Sequence, residues 1–139
     1  MYIHLVEDNQ ADILLAKELL EEIDKKIKVS VSEDGEQAID YFESLVFEGK
    51  NELPDLVLMD VNIPKRTGLE VLEYVKATPK LRQVPVVMLS SSNSESDIKT
   101  AYRKNCNAYF VKPSDSTEIL ELLKVVTDFF KLSINIKSL

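Results

Sequence analysis

The 139 residues carry 17 lysines and arginines against 24 aspartates and glutamates, a formal charge of −7, which argues against nonspecific binding to nucleic acid or to an anionic membrane surface. Apolar residues make up 45% and charged ones 29%, the composition of an ordinary globular domain with a core large enough to need no staples. The single cysteine, Cys106, excludes an internal disulfide framework, and no stretch reads as a signal peptide or a membrane span, so a cytoplasmic location is expected.

Tyr2 to Val6 reads as a short apolar strand ending in Glu7-Asp8. Residues 9–22 turn helical, with Ile13, Ala16, Leu20 and Ile23 recurring along one face. Residues 27–32 alternate apolar and polar as a half-buried strand does. Asp34 followed by Gln37 marks a helix start; Ala38, Ile39 and Phe42 supply its apolar stripe, and Gly49-Lys50-Asn51 its end. Leu56-Val57-Leu58-Met59 then runs straight into Asp60, and Pro64 stops the backbone soon after. A short apolar run bounded in this way reads as a strand buried on both faces.

Beyond Gly68, Leu69, Leu72 and Val75 mark a third helix, closed by Thr78-Pro79. Residues 84–89 form a second buried strand running into Ser90-Ser91-Ser92, with Pro85 near its start where the missing donor is tolerated. Ser92 with Glu95 predicts a capping box for a helix through about Lys104, and Asn105 suits a left-handed helix end. Ala108 to Val111 is the last strand, ending at Lys112-Pro113; Asp115 with Glu118 opens the final helix. Strand and helix thus alternate five times, which predicts a single α/β domain over 1–139 (core about 2–131, C-terminal extension 132–139). The expected architecture is a doubly wound parallel sheet with helices on both faces and right-handed crossovers.

In such a sheet every strand's carboxyl end lies on one edge, where open α/β sheets bind their ligands. That edge collects Glu7, Asp8, Asp60, Ser90 and Lys112. Each alone is an ordinary strand-ending carboxylate, helix cap or surface lysine; together they define a site. Clustered carboxylates repel one another and invite a hard divalent cation such as Mg²⁺. A lysine and a hydroxyl across the site suit the remaining oxygens of a phosphoryl group. His4, the only histidine, reads as a strand residue, so neither a zinc cluster nor a Ser-His-Asp arrangement is available, and no glycine-rich nucleotide loop is present. What remains is a phosphoryl acceptor with the Asp60 carboxylate as nucleophile.

Val6-Glu7-Asp8, Leu58-Met59-Asp60-Val61-Asn62-Ile63-Pro64 with Gly68, Val86-Val87-Met88-Leu89-Ser90, and Tyr109-Phe110-Val111-Lys112-Pro113 stand in an order and at separations that resemble the receiver domain of two-component response regulators. The resemblance spans essentially the whole chain. It implies a flavodoxin-like (βα)5 fold with strand order 2-1-3-4-5, and Asp60 as the phosphorylated residue. It makes Glu7 and Asp8 the acidic pair, with Asp8 and Asp60 binding Mg²⁺ directly and the backbone carbonyl of Asn62 as a further ligand. Lys112 becomes the phosphoryl contact, followed by a cis bond to Pro113. Ser90 becomes the switch hydroxyl and Tyr109 the aromatic that turns inward when Ser90 moves, changing the face formed by the fourth helix, fifth strand and fifth helix. Ser90 for the commoner threonine, Thr67 for aspartate, Asn105-Cys106 for Gly-Ala and Glu7 for aspartate are departures, none of which removes a catalytic group.

Residues 63–72, with Ala101-Tyr102 and Asp128-Phe129-Phe130, are similar more specifically to stand-alone regulators paired with phytochrome-type histidine kinases. The implied partner is a sensor histidine kinase donating from a phosphohistidine. No enzyme in the ordinary sense is expected, beyond Mg²⁺-dependent self-phosphorylation and autodephosphorylation. The last helix carries a second apolar stripe, Leu122, Val125, Phe129 and Leu132, beside its core stripe. A surface helix needs one such face, so the second predicts a partner surface, most simply an isologous homodimer, unless the tail 133–139 covers it. The short stretch past that helix carries the expectation that no DNA-binding module is attached. Two other readings stay open: an aspartate-nucleophile phosphatase of the haloacid dehalogenase type, and a pseudo-receiver that binds without being phosphorylated.

Overall fold

Ten elements alternate along the chain in a computed structural model that describes residues 1–48 and 52–134. They are β1 (Tyr2–Val6), α1 (Gln10–Ile23), β2 (Lys28–Ser32), α2 (Gly35–Phe47), β3 (Leu56–Met59), α3 (Gly68–Ala77), β4 (Val86–Ser90), α4 (Glu95–Arg103), β5 (Ala108–Val111) and α5 (Ser116–Leu132). The helix stop expected at Gly49-Lys50-Asn51 and most of the tail fall outside the described residues. The strands form one sheet in the order β2-β1-β3-β4-β5, parallel throughout. Among the described residues, no helix is long and apolar enough to cross a membrane.

Every residue of β3 and β4 is buried, because helices cover both faces of the sheet. The strand alternation sorts side chains between two cores. Leu56, Leu58, Val87 and Leu89 pack with Ile13 and Leu20 of α1 and Leu123 and Val126 of α5. Val57, Met59, Val86 and Met88 pack with Phe42 of α2, Val71, Leu72 and Val75 of α3, and Ala101, the one buried residue of α4.

The helix starts follow the capping chemistry with one difference. Asp34 accepts from the Gln37 N–H, and Asp115 from the Thr117 N–H. The α4 cap is Ser94 and not Ser92: the Ser94 hydroxyl accepts from the Asp97 N–H, while Ser92 Oγ donates to Asp97 Oδ2 at 2.6 Å. Two overlapping serine–acid spacings compete there, and the later one takes the cap. Thr67, the departure next to Gly68, forms a full capping box with Glu70. Asn105 takes φ 70°, the left-handed end expected of it. Among the described residues no peptide bond is cis, so Lys112–Pro113 is trans and the cis bond implied by the resemblance is corrected. At an X–Pro bond the two isomers differ by only about 0.5–1 kcal/mol in favour of trans.

Two glycines bring backbone segments together at the site edge. A Cβ on Gly68 would lie 1.9 Å from the carbonyl oxygen of Asp60, and one on Gly35 would lie 2.1 Å from that of Arg66. Gly68 donates its N–H to the Val61 carbonyl and Gly35 to the Pro64 carbonyl. Lys65, at φ 71°, reaches Asp34 Oδ2 at 3.4 Å. The β3–α3 loop is thereby fastened to the start of α2.

His4 is 2% exposed, with Nδ1 2.6 Å from Ser30 Oγ and Nε2 2.8 Å from Ser32 Oγ. Burial pulls its pKa down to about 3, so the folded protein holds it neutral. The unfolded chain takes up this proton below about pH 6.5 while the native state refuses it, so stability present above that pH is lost as the pH falls. For this one group the loss from pH 7 to pH 5 is about 2 kcal/mol. Urea midpoints of wild type and His4→Gln, compared across this range, should converge as the pH falls; a constant gap would contradict the assignment.

Candidate functional site

The hydrogen-bond ladder of the sheet runs one residue past the strands and fixes the backbone of the site. The Glu7 N–H donates to the Ser32 carbonyl, Asp60 to Val6 and Lys112 to Ser90. Glu7, Asp60 and Ser90 are buried, at 3%, 7% and 0% exposure. Asp60 Oδ1 accepts from Ser90 Oγ at 2.7 Å and from the Asn62 N–H at 3.1 Å. Lys112 Nζ lies 2.8 Å from Glu7 Oε1, 3.2 Å from Asp12 Oδ2 and 3.3 Å from Asp60 Oδ2. Beneath this layer, Leu15 of α1 and Leu58 of β3 help wall a cavity of about 40 Å³ that Glu7, Asp12, Asp60 and Lys112 also line.

The low-dielectric setting separates the two carboxylates. Burial pushes Glu7 up to about 8, against the pull of Lys112. Burial acts the same way on Asp60, but the Ser90 hydrogen bond and the Lys112 charge outweigh it and hold this carboxyl below the usual range. Lys112 loses solvation as well, yet its bond to Glu7 and the charges of Asp60, Glu7 and Asp12 keep it above the ordinary lysine value. At neutral pH, Asp60 is therefore an ionised carboxylate beside a charged ammonium, the protonation states a nucleophile and its electrostatic partner require.

Of the residues predicted from sequence, Glu7, Asp60, Ser90 and Lys112 meet. Asp8 is exposed and makes no hydrogen bond or ion pair among the described residues. Among those residues no preformed three-acid metal cage exists, since Lys112 stands between the carboxylates. The donor set still fits a hard divalent cation. Glu7 Oε2 is buried with no hydrogen-bond partner among the described residues, and Asp60 and the exposed Asp8 carry further hard oxygens at the same sheet edge. Tyr109 is half-buried, its hydroxyl donating to the Ser92 carbonyl at 2.7 Å and its N–H to the Tyr102 hydroxyl at 3.1 Å. Ser90 already touches Asp60 and Tyr109 is already tied to the β4–α4 loop. Sequence reasoning missed Asp12, whose only signal is its place in the first turn of α1, four residues after Asp8.

On α5, Leu122 is half-buried against the core, whereas Val125, Phe129 and Leu132 are 66%, 64% and 87% exposed.

The family model for the response regulator receiver domain matches residues 3–124, and the chain belongs to that family. It is 34% identical over 126 residues to the probable methanogenesis regulatory protein FilR2 of Methanothrix harundinacea, covering 91% of this chain and 81% of FilR2. To the response regulator Rcp1 of Synechocystis it is 30% identical, over 91% of this chain and 86% of Rcp1. A Mn²⁺-bound crystal structure of response regulator Rcp1 superposes with a TM-score of 0.85 at 29% identity, over 96% of each chain. The phosphorylated cyanobacterial phytochrome response regulator RcpA superposes with a TM-score of 0.88 at 35% identity, over 96% of this chain and 95% of RcpA.

Proposed function

We propose that Asp60 is the phosphoacceptor of this receiver domain. The observation that carries this reading is the Asp60 carboxylate itself, buried at the sheet edge with Ser90 Oγ at 2.7 Å on one oxygen and Lys112 Nζ at 3.3 Å on the other. Asp60 attacks the phosphorus of a phosphohistidine on a sensor kinase. The new O–P bond forms as the P–N bond breaks, and the imidazole leaves with the electron pair, giving an aspartyl phosphate. Lys112 and the Ser90 hydroxyl, which hold the carboxylate beforehand, turn to the phosphoryl oxygens. Asp8, Asp60, the Asn62 carbonyl and Glu7 would hold a divalent cation, Mg²⁺ in this reading, which would supply positive charge to offset that of the transferring group. The same residues would support self-phosphorylation from small phosphodonors and autodephosphorylation. The domain occupies 1–139 as one unit, with its core at about 2–131.

Ser90 contacts Asp60 before any phosphoryl group is present, so the switch in this reading is a transfer of that hydrogen bond to the phosphoryl oxygen. The β4–α4 loop follows through the Ser92–Tyr109 bond and alters the α4–β5–α5 face. The likeness to phosphorylated RcpA supports a phytochrome-type kinase as donor. The haloacid dehalogenase alternative is disfavoured at Asn62: an amide stands two residues after Asp60, where such phosphatases carry a second carboxylate. Incubation with a labelled histidine kinase and Mg²⁺ should label wild type and leave Asp60→Asn unlabelled; equal labelling of both would overturn the assignment.

The exposed Val125, Phe129 and Leu132 of α5 fit an isologous homodimer. Light scattering should give about twice the chain mass for wild type and the monomer mass for Phe129→Asp; one mass for both proteins would remove the dimer.

A further inference from the structure

We infer that Asp12 is a positioning residue: it anchors Lys112 so that the ammonium and a divalent cation can share the site. This rests on the phosphoacceptor reading above. An ammonium has three N–H donors, and here three carboxylates surround it, Glu7, Asp12 and Asp60. Two of these, Glu7 and Asp60, also belong to the oxygen set that fits the cation. Asp12 alone belongs to the lysine.

The three acceptors also differ in setting. The side chains of Glu7 and Asp60 are 4% and 9% exposed, whereas that of Asp12 is 45% exposed at the rim. Asp12 sits in the first turn of α1, where Asn9 Oδ1 accepts its N–H at 3.0 Å, so its backbone is fixed independently of the site. When a divalent charge claims oxygens of Glu7 and Asp60, it repels the ammonium and takes its two buried partners. Asp12 is the carboxylate that remains, holding Lys112 within reach of the phosphoryl group. Without Asp12, Lys112 must either stay on Glu7 and Asp60 in competition with the cation or leave unpaired.

The test is a double-mutant cycle read by Mg²⁺ titration calorimetry, which requires no phosphorylation. With Lys112 present, Asp12→Asn should weaken Mg²⁺ binding about three- to fivefold, the scale of a partly exposed ion pair. In the Lys112→Met background the same substitution should change affinity by less than about twofold, leaving only its direct field. Equal weakening in both backgrounds, no weakening with Lys112 present, or no Mg²⁺ binding by wild type would each overturn the inference.

A second readout uses no Lys112 variant. With a small phosphodonor such as phosphoramidate, Asp12→Asn should raise the half-saturating Mg²⁺ concentration by the same factor and also lower the plateau rate, since Lys112 is then no longer held within reach of the phosphoryl group. A lowered plateau at unchanged half-saturation would overturn it too. If wild type binds Mg²⁺ but is never phosphorylated, the phosphoacceptor reading fails while the binding cycle still decides the role of Asp12.

Discussion

Replacing Gly68 with alanine should destabilise the protein by about 3 kcal/mol or more, the upper end of overpacking costs, because the neighbour is backbone and has no rotamer through which to yield. The added Cβ would stand 1.9 Å from the Asp60 carbonyl oxygen and 3.0 Å from the Val61 Cα. Relief requires either the start of α3 or the backbone carrying the Asp60 carboxylate to move. The Gly68 N–H bond to the Val61 carbonyl, 2.8 Å long, sits at the same point and would stretch with it. Two effects should therefore appear together: a lower urea midpoint, and slower phosphoryl transfer under conditions where the variant is still folded. A midpoint within experimental error of wild type would show that the helix start shifts freely and that the close approach carries no constraint.

Lys112→Met is expected to be the other large perturbation, and its signature is a dependence on pH. Removing one partner from a buried charged group leaves the others uncompensated, at a cost of about 3 kcal/mol. Glu7 is the residue that turns this cost into a slope. Its folded pKa, near 8, stands above the ordinary carboxylate value of 4.5 because burial outweighs Lys112. A group raised in the native state stabilises fully below its unfolded pKa, and that contribution is lost as the pH climbs through the folded value. Without Lys112 the upward push on Glu7 is unopposed, so the loss extends to higher pH. Asp60, held ionised partly by Lys112, adds a penalty of the same sign. The Glu7 part of the stability gap between wild type and Lys112→Met should therefore open as the pH climbs past 8, where the wild-type loss levels off and the variant's continues. A gap independent of pH would mean that Lys112 acts only through packing. Phosphoryl transfer should fall by about 10²–10³, the usual effect of removing one donor to developing negative charge.

Sequence patterning reached the elements whose physics is local. β1, β3 and β5 begin and end where the apolar runs do, and Asn105 takes the left-handed conformation its side chain permits. β4 starts at Val86 and not at residue 84, because the Val84 N–H is used by the turn at Leu81, so that residue closes the loop and does not extend the ladder. The convergence of Asp60, Ser90 and Lys112 was legible because a parallel sheet puts all strand ends on one edge. Asp12 was not, since it lies on a helix and its partner Lys112 is 100 residues away. Asp8 shows the converse. Its place in the motif is plain, yet it stands outside the hydrogen-bonded cluster, because a single ammonium with three donors settles on Glu7, Asp12 and Asp60. The resting pose of Ser90 and Tyr109 was equally beyond patterning, being a choice among rotamers that only the packed neighbours decide.

The two sides of Asp60 differ in how they are held. Towards α2 and α3 the backbone is stitched by two glycine contacts, two N–H bonds and the Lys65–Asp34 pair, leaving little slack. Towards α4 the link runs through Ser92, whose N–H donates to Ser90 Oγ and whose Oγ donates to Asp97 Oδ2, to a helix with a single buried residue, Ala101. Sparse burial makes such a helix a soft joint. A load placed on Asp60 is therefore resisted on one flank and taken up as displacement on the other, so the fold yields towards α4.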